Sequence, residues 1–220
     1  MRRIDPAGRS LGRFFADEIA APLGLDFHIG LPDSIPDERL APLQPPSAWQ
    51  RLTSLPPSLV LAAMNRRSVL YRSLVANPGT GFYMNEQHKV VRNLEVPSGG
   101  GVGSAAAIAR AYGEFATGGQ QLGLRAETLD ALKAPAVPSR HGFYDECLRG
   151  PAKFSLGFMK PSEGFAFGHE GAFGAPGAGG SMGYADPQLG IGYGYVTNRM
   201  GMRLSGDPRD IALRNAIPAE

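Results

Sequence analysis

Residues 172–200 read AFGAPGAGGSMGYADPQLGIGYGYVTNRM, and their reading decides the fold. Twelve of the chain's 30 glycines fall between Gly164 and Gly201, yet the stretch is no flexible linker. Leu189, Ile191, Tyr193 and Tyr195 alternate with Gly190, Gly192, Gly194 and Val196. A period of two puts large side chains on one face of a strand and leaves the other almost bare. A bare face in an otherwise core-forming sequence predicts that a helix or another backbone packs very close to it. Asp186-Pro187-Gln188 supplies turn residues between this strand and the run at 181–185, which predicts a hairpin. Gly177-Ala178-Gly179-Gly180-Ser181 stands at the start of that hairpin, where backbone N–H groups are expected to face a ligand.

Upstream, the pattern is helical with long connections. Ser10 is an N-cap candidate, and Leu11, Phe14, Phe15, Glu18 and Ile19 mark one face of a helix ending at Pro22. Residues 26–46 are proline-rich and read as an irregular cover. Helical pattern returns over residues 58–75, with Leu59, Leu61, Met64, Val69, Leu70 and Leu74 expected to be buried. Residues 77–103 form another Gly- and Pro-punctuated passage, and structureless connections of that length are uncommon unless they line a site. Ser104 then caps a helix with Ile108, Tyr112 and Phe115 inward, stopped by Gly118-Gly119. A short helix near 127–132 precedes residues 152–159, the first convincing strand. Helices first and antiparallel strands last is an α+β order, in one domain.

Composition excludes several function classes. Hydrophobic content of 43% is that of a globular chain. A net charge of +2, with acids and arginines interspersed, offers no basic stripe for nucleic acid. Cys147 is the single cysteine, so no intramolecular disulfide forms and nothing points to an oxidising compartment. The start lacks an apolar core of signal-peptide type, and no apolar run reaches membrane-spanning length. The chain as given is therefore expected to be cytoplasmic.

The stretch at 173–200 resembles the C-terminal motif of the serine β-lactamase-like superfamily, in particular the family VIII carboxylesterases. The matching residues are Phe173-Gly174-Ala175-Pro176-Gly177-Ala178-Gly179-Gly180-Ser181, Ala185-Asp186-Pro187 and Val196-Thr197-Asn198-Arg199-Met200. Three weaker likenesses extend it along the chain. Residues 8–25 resemble the helix after the family's tyrosine motif, and Pro97-Ser98-Gly99-Gly100-Gly101 its loop before a helix. Phe154-Ser155-Leu156-Gly157-Phe158 resembles the strand that re-enters the sheet.

Such enzymes acylate a serine in Ser-x-x-Lys, where a lysine one turn away takes the hydroxyl proton. None of the serines here has a lysine three residues later, since the four lysines follow Glu86, Asp130, Gly150 and Gly157 at that spacing. The family's Tyr-x-Asn or Tyr-x-Ser element should precede the Ser10 helix. Tyr83-Met84-Asn85 and Tyr71-Arg72-Ser73 both fall after it and read as ordinary loop and helix residues. The expectation is an incomplete β-lactamase/transpeptidase-like fold: mainly helical over 1–150, with antiparallel strands and a short helix over 151–220.

The resemblance also implies a site. Relatives carry Lys or His two residues before a glycine on the strand beside the acyl pocket, and the PGAGGS context aligns that position with Ala175. His169, in the copy FGHEGA six residues earlier, is the alternative, and reads otherwise as a hairpin histidine near the rim. Gly177 is then the motif glycine, and Ala178 supplies the backbone N–H that forms half of an oxyanion hole. Ser181 reads as structural or as a polar group on the pocket wall. Gly179-Gly180-Ser181-Met182-Gly183 also satisfies G-x-S-x-G, but that elbow needs a following helix and a later histidine. Neither is expected here.

His141, Asp145, Glu146 and Cys147 match no metal-ligand spacing, so no metal is expected. No cofactor is expected either. The implied substrate is a small acyl ester or β-lactam-like molecule, ester first. With no nucleophile motif, the chain alone is expected to be inactive. The alternatives are a non-catalytic binding module or half of a two-chain enzyme completed by an N-terminal segment. A sheet edge without its partner also predicts self-association.

Overall fold

The computed structural model describes residues 2–47, 57–75, 92, 94–147, 150–202 and 206–217. Tyr83-Met84-Asn85, Trp49 and the side chain of Leu74 lie outside the described residues. Ser10 accepts from the Arg13 N–H at 3.2 Å and starts α1 (Leu11–Phe15). The helix continues through a π-helical stretch, Ala16–Ala20, into α2 (Ala21–Leu23) and stops at Gly24, which has φ of 60°. Beyond it, β1 (Phe27–Ile29) pairs antiparallel with β2 (Gly101–Gly103). The cover at 26–46 thus contains a strand that composition did not reveal. Its glycine partner follows from packing: a Cβ on Gly101 or Gly103 would strike the Phe27 ring at 2.6 or 2.4 Å.

Helix α3 (Pro57–Met64) follows, and Tyr71–Val75 forms a second π-helical stretch that holds Tyr71-Arg72-Ser73. The expected buried set there is corrected. Leu70 and Ala62 are buried, whereas Leu61, Met64 and Val69 are 67%, 75% and 46% exposed. Helix α4 (Ala105–Ala116) starts at Ser104, whose hydroxyl accepts from the Ala107 N–H, and ends before Gly118 and Gly119, both at positive φ. Next comes α5 (Ala126–Lys133).

The strands come last. A small hairpin pairs β3 (Tyr144–Asp145) with β4 (Gly150–Pro151). The single strand expected at 152–159 is instead a tight hairpin of β5 (Phe154–Ser155) and β6 (Phe158–Met159). Leu156 and Gly157 form its two-residue turn, both at positive φ, which reverses the chain where a continuous strand was expected. These two strands join β7 (Phe173–Pro176), β8 (Met182–Asp186) and β9 (Ile191–Tyr195) in one antiparallel sheet ordered β5-β6-β7-β8-β9. The sequence pattern marked strands at 152–159, 181–185 and 189–196; the sheet holds five. Helix α6 (Pro208–Arg214) closes the described chain.

The bare face of β9 meets α4 backbone to backbone. A Cβ on Gly192 would lie 2.1 Å from the Ala109 carbonyl and 2.0 Å from the Gly113 nitrogen, and one on Gly194 2.3 Å from the Ala105 carbonyl. At Gly183 it is the side chains of Ile108 and Tyr112 of α4 that press on the strand. Below them Phe173 is 1% exposed, with Phe115 and Phe158 edge-on at 6.4 and 5.3 Å. On the opposite face Tyr184 stacks on Tyr193 at 5.0 Å, and the Tyr193 hydroxyl donates to Asp210 of α6 at 2.9 Å. Helix α4 thus covers one face of the β8–β9 pair, and Phe165, Phe167 and Ala172 pack with Tyr184 on the other.

One buried charge has no carboxylate beside it. Lys160 is 2% exposed, and its ammonium donates to the carbonyls of Leu132 and Lys133 at 2.7 and 3.2 Å. These are end-of-helix carbonyls of α5, which attract a cation. Burial still pushes the Lys160 pKa down.

Candidate functional site

The site candidates gather at the end of the sheet where β7 turns into β8. Register runs from Phe173↔Ala185 to Pro176↔Met182, so Ala175 stands opposite Gly183. On its other side β7 is paired with β6 only at Met159↔Gly174. The edge from Ala175 onward is therefore left open by β6. Beyond the strand the Gly177 N–H turns inward and donates to the Ser181 carbonyl at 2.8 Å. The Gly177 carbonyl accepts from the Gly180 N–H across a tight turn, and in a trans peptide the N–H points opposite to the C=O, so the Ala178 N–H points out of the turn. Ala175 and Ala178 are both exposed.

The glycine loop itself is packed from behind, so of the amides expected to face a ligand those of Gly177 and Gly180 are spent within the loop. Gly179 and Gly180 are buried, and the Gly180 N–H donates to the Gly177 carbonyl at 3.1 Å. Each glycine admits a neighbour where a Cβ would be. Ser181 Oγ occupies that place for Gly177 at 2.0 Å, the Met200 side chain for Gly179 at 2.8 Å, and Asp207 Oδ2 for Gly180 at 2.5 Å. Ala178 alone among them shows its side chain to solvent. Ser181 Oγ is thus turned against Gly177, and Ser181 leads directly into β8. A strand where a helix is needed rules out the elbow geometry.

His169 stands at the other end of the sheet. Its Nδ1 lies 2.8 Å from Asp186 Oδ2, and its backbone N–H donates to the same oxygen at 3.0 Å. Asp186 is fully buried at the end of β8 and also accepts from the Gln188 N–H at 3.1 Å. Five strand steps separate Ser181 from Asp186, about 17 Å. The structure brings together Ala175, Gly177, Ala178 and Ser181, and it does not bring His169 to them.

Sequence reasoning missed the groups behind the loop. Asp207 is 4% exposed; it caps α6 by accepting from the Arg209 N–H at 2.9 Å, and it pairs with the Arg209 guanidinium at 2.7 Å. Arg209 in turn donates to the Arg199 carbonyl and to Thr197 Oγ1 at 2.9 and 3.2 Å. The Gly201 N–H donates to the Gly179 carbonyl at 2.7 Å. Gln44 completes the wall: its N–H donates to the Asn198 carbonyl at 2.7 Å and its carbonyl accepts from Met200 at 2.9 Å. The Asp-Pro-Arg sequence at 207–209 was the one available signal, as an N-cap followed by Pro at the first helical position.

Tyr112 lies behind β8, and burial pushes its phenol up to about 12. Among the described residues no group of three or more His, Cys, Asp or Glu is placed to hold a metal ion. No helix among them is long and apolar enough to cross a membrane.

Comparison with known proteins puts this geometry in context. The sequence profile of the family described as beta-lactamase matches residues 2–216. The esterase/beta-lactamase LipL of Mycobacterium tuberculosis is 30% identical over 200 residues, covering 88% of this chain and 44% of LipL. A crystal structure of a family VIII carboxylesterase superimposes with a TM-score of 0.75 at 29% identity, covering 98% of this chain and 53% of the other. A penicillin-binding protein homologue from Caulobacter crescentus gives a TM-score of 0.71 at 30% identity, covering 96% and 52%. The chain spans about half the length of the relatives it matches.

Proposed function

The chain belongs to the β-lactamase family, and from that premise we propose that it supplies one wall of an acyl-serine hydrolase site. The observation that carries this reading is the reversal at Gly177. With the Gly177 N–H spent on Ser181 and its carbonyl on Gly180, the Ala178 N–H points out of the turn, and on this reading it is the donor offered to a tetrahedral intermediate beside the open edge of β7. Gly177 and Ala175 form the floor beside it. The attacking serine, its lysine and the second oxyanion donor come from outside these 220 residues, because no Ser-x-x-Lys occurs in them. Residues 1–220 on this reading are one part of a single domain. A small acyl ester is preferred to a β-lactam, from the motif match to esterase-like members.

A complementing strand has a place to dock. The outer edge of β9 carries no partner strand in the described sheet, and Ile191-Gly192-Tyr193-Gly194-Tyr195 holds no charge and no proline to blunt it. Helix α4 lies directly over this strand. Joining two copies through β9 would bring two such helices within about one strand spacing, 4.8 Å, whereas packed helices need about 8–10 Å. Antiparallel pairing of two copies meets that clash, and a bare strand does not. Complementation is therefore preferred to self-association through this edge.

A non-catalytic role is the second reading, favoured by the methyl side chain of Ala175 where relatives carry a donor. Hydrolysis of p-nitrophenyl butyrate separates the two. The chain alone is expected to give no turnover above background, and the chain with a Ser-x-x-Lys segment supplied is expected to gain it. Ala178→Pro, which deletes the N–H, should then lower kcat by about 10²–10³-fold. Serine-dependent turnover by the 220 residues alone, abolished in Ser181→Ala, would overturn the proposal. No turnover with the segment supplied, despite tight association, would favour the binding module.

A further inference from the structure

The loop at 177–181 holds its shape through groups far along the chain, and one of them stands out. Asp207 Oδ2 sits where a Cβ on Gly180 would be, at 2.5 Å, and where a Cβ on Gly201 would be, at 2.7 Å. A carboxylate this close to two backbone segments fixes their separation. The same Asp207 is tied down on its own side by the Arg209 N–H and guanidinium. Arg209 then reaches the Arg199 carbonyl, beside Met200, whose side chain fills the space over Gly179. Gly201 closes the circuit by donating to the Gly179 carbonyl. Gly179 and Gly180 have φ of 91° and 109°, so the loop adopts a backbone that most residues avoid and that needs outside support to persist.

We infer that Asp207 is a positioning residue for the 177–181 loop: its buried carboxylate, braced by Arg209, sets the direction of the Ala178 N–H from the far side of the turn. A helix cap alone would need only an acceptor for the Arg209 N–H. The full carboxylate serves further: Oδ1 accepts from the Arg209 backbone and Nε, while Oδ2 accepts from Nη2 and faces Gly180. The sequence prepares for this contact with glycine at both 180 and 201, the only side chain that leaves room. The consequence for catalysis rests on Ala178 being the substrate-side donor, whereas the ordering of the loop does not.

Amide hydrogen exchange and the ¹H–¹⁵N resonance of Ala178, measured on the 220-residue chain, test the inference. Asp207→Ser keeps a helix cap and removes the carboxylate. It should leave the melting temperature close to that of the parent, shift the Ala178 resonance, and raise exchange at 178–181 by about tenfold or more, as local opening without global unfolding does. Asp207→Asn keeps both the cap and the planar group against Gly180, and should restore the Ala178 resonance most of the way. Gly180→Ala, which drives the carboxylate out, should produce the same loop exchange as Asp207→Ser, and the double variant should add little. Parent-like loop exchange and resonance in Asp207→Ser would overturn the inference, as would fully additive effects in the double variant. Ala178→Pro is the separate check on the donor. If it spares hydrolysis in the complemented protein while Asp207→Ser still loosens the loop, the catalytic reading fails and the positioning role stands.

Discussion

Helices α4 and α3 carry similar apolar side chains and meet opposite fates. Ile108, Tyr112 and Phe115 of α4 press into the sheet, against Gly183 and Phe173. Leu61 and Met64 of α3 point largely to solvent, as does Val69 just after it. Leu61 and Val69 border a cavity of about 560 Å³ that Asn65, Arg67, Tyr144 and Glu146 also line. Apolar periodicity says which side chains need cover, and nothing about which part of a protein provides it. For α4 the cover is the glycine face of β9, some eighty residues away in sequence. For α3, on the reading proposed above, cover belongs to the part of the fold that these residues do not contain.

That contrast predicts unequal costs for similar truncations. Phe173→Ala, at the centre of the α4 contact, should cost about 3–5 kcal/mol in urea denaturation. A cost below about 1 kcal/mol would mean the α4–sheet interface is far looser than its ring contacts imply. Gly192→Ala should be nearly as severe, about 3 kcal/mol, because its methyl meets helix backbone rather than a movable side chain. Gly190→Ala would isolate the effect of the turn, since a Cβ there meets only Thr117 at 3.9 Å. Its φ of 66° makes that change a strain effect of about 1 kcal/mol.

A third region sharpens the comparison through pH. Asp5 accepts from the Arg9 backbone and guanidinium at 2.7 to 3.0 Å, and the Arg9 pairing holds its carboxyl at about 2 against an ordinary 3.8. The folded value lies below the unfolded one, so this contribution is complete above about 3.8 and is lost as pH falls towards 2. Asp5→Asn should therefore melt less pH-dependently than the parent across that window. Equal slopes in the two proteins would remove Asp5 from the acid response. The smallest effect belongs to α3: Leu61→Ala should change stability by no more than about 0.5 kcal/mol. A loss of about 2 kcal/mol would show that Leu61 is covered in solution, and the contrast with α4 would collapse.

The alternation at 189–196 and the turn at 186–188 made the β8–β9 hairpin legible, and the bare glycine face announced a close helix. Ser10, Ser104 and Gly118-Gly119 marked helix ends because caps are local chemistry. β1 escaped notice because three residues leave no period to detect. The β5–β6 reversal escaped because Leu156 adopts positive φ without the glycine or asparagine that usually signals it. In the candidate site, Ala175, Gly177, Ala178 and Ser181 follow one another in sequence and could be named together. Asp207, Arg209 and Gln44 could not, since only folding brings them to that loop.

The sequence by itself determined the strand period, the caps, the family and the lack of a Ser-x-x-Lys, all of which are written in neighbouring residues. Tertiary structure alone decided which amides of the glycine loop are spent within it, which carboxylate stands behind it, and that His169 lies at the opposite pole with Asp186. The physical reason is range. Backbone conformation is set within a few residues, whereas the direction of a hydrogen-bond donor and the burial of a charge depend on segments that meet only when the sheet closes.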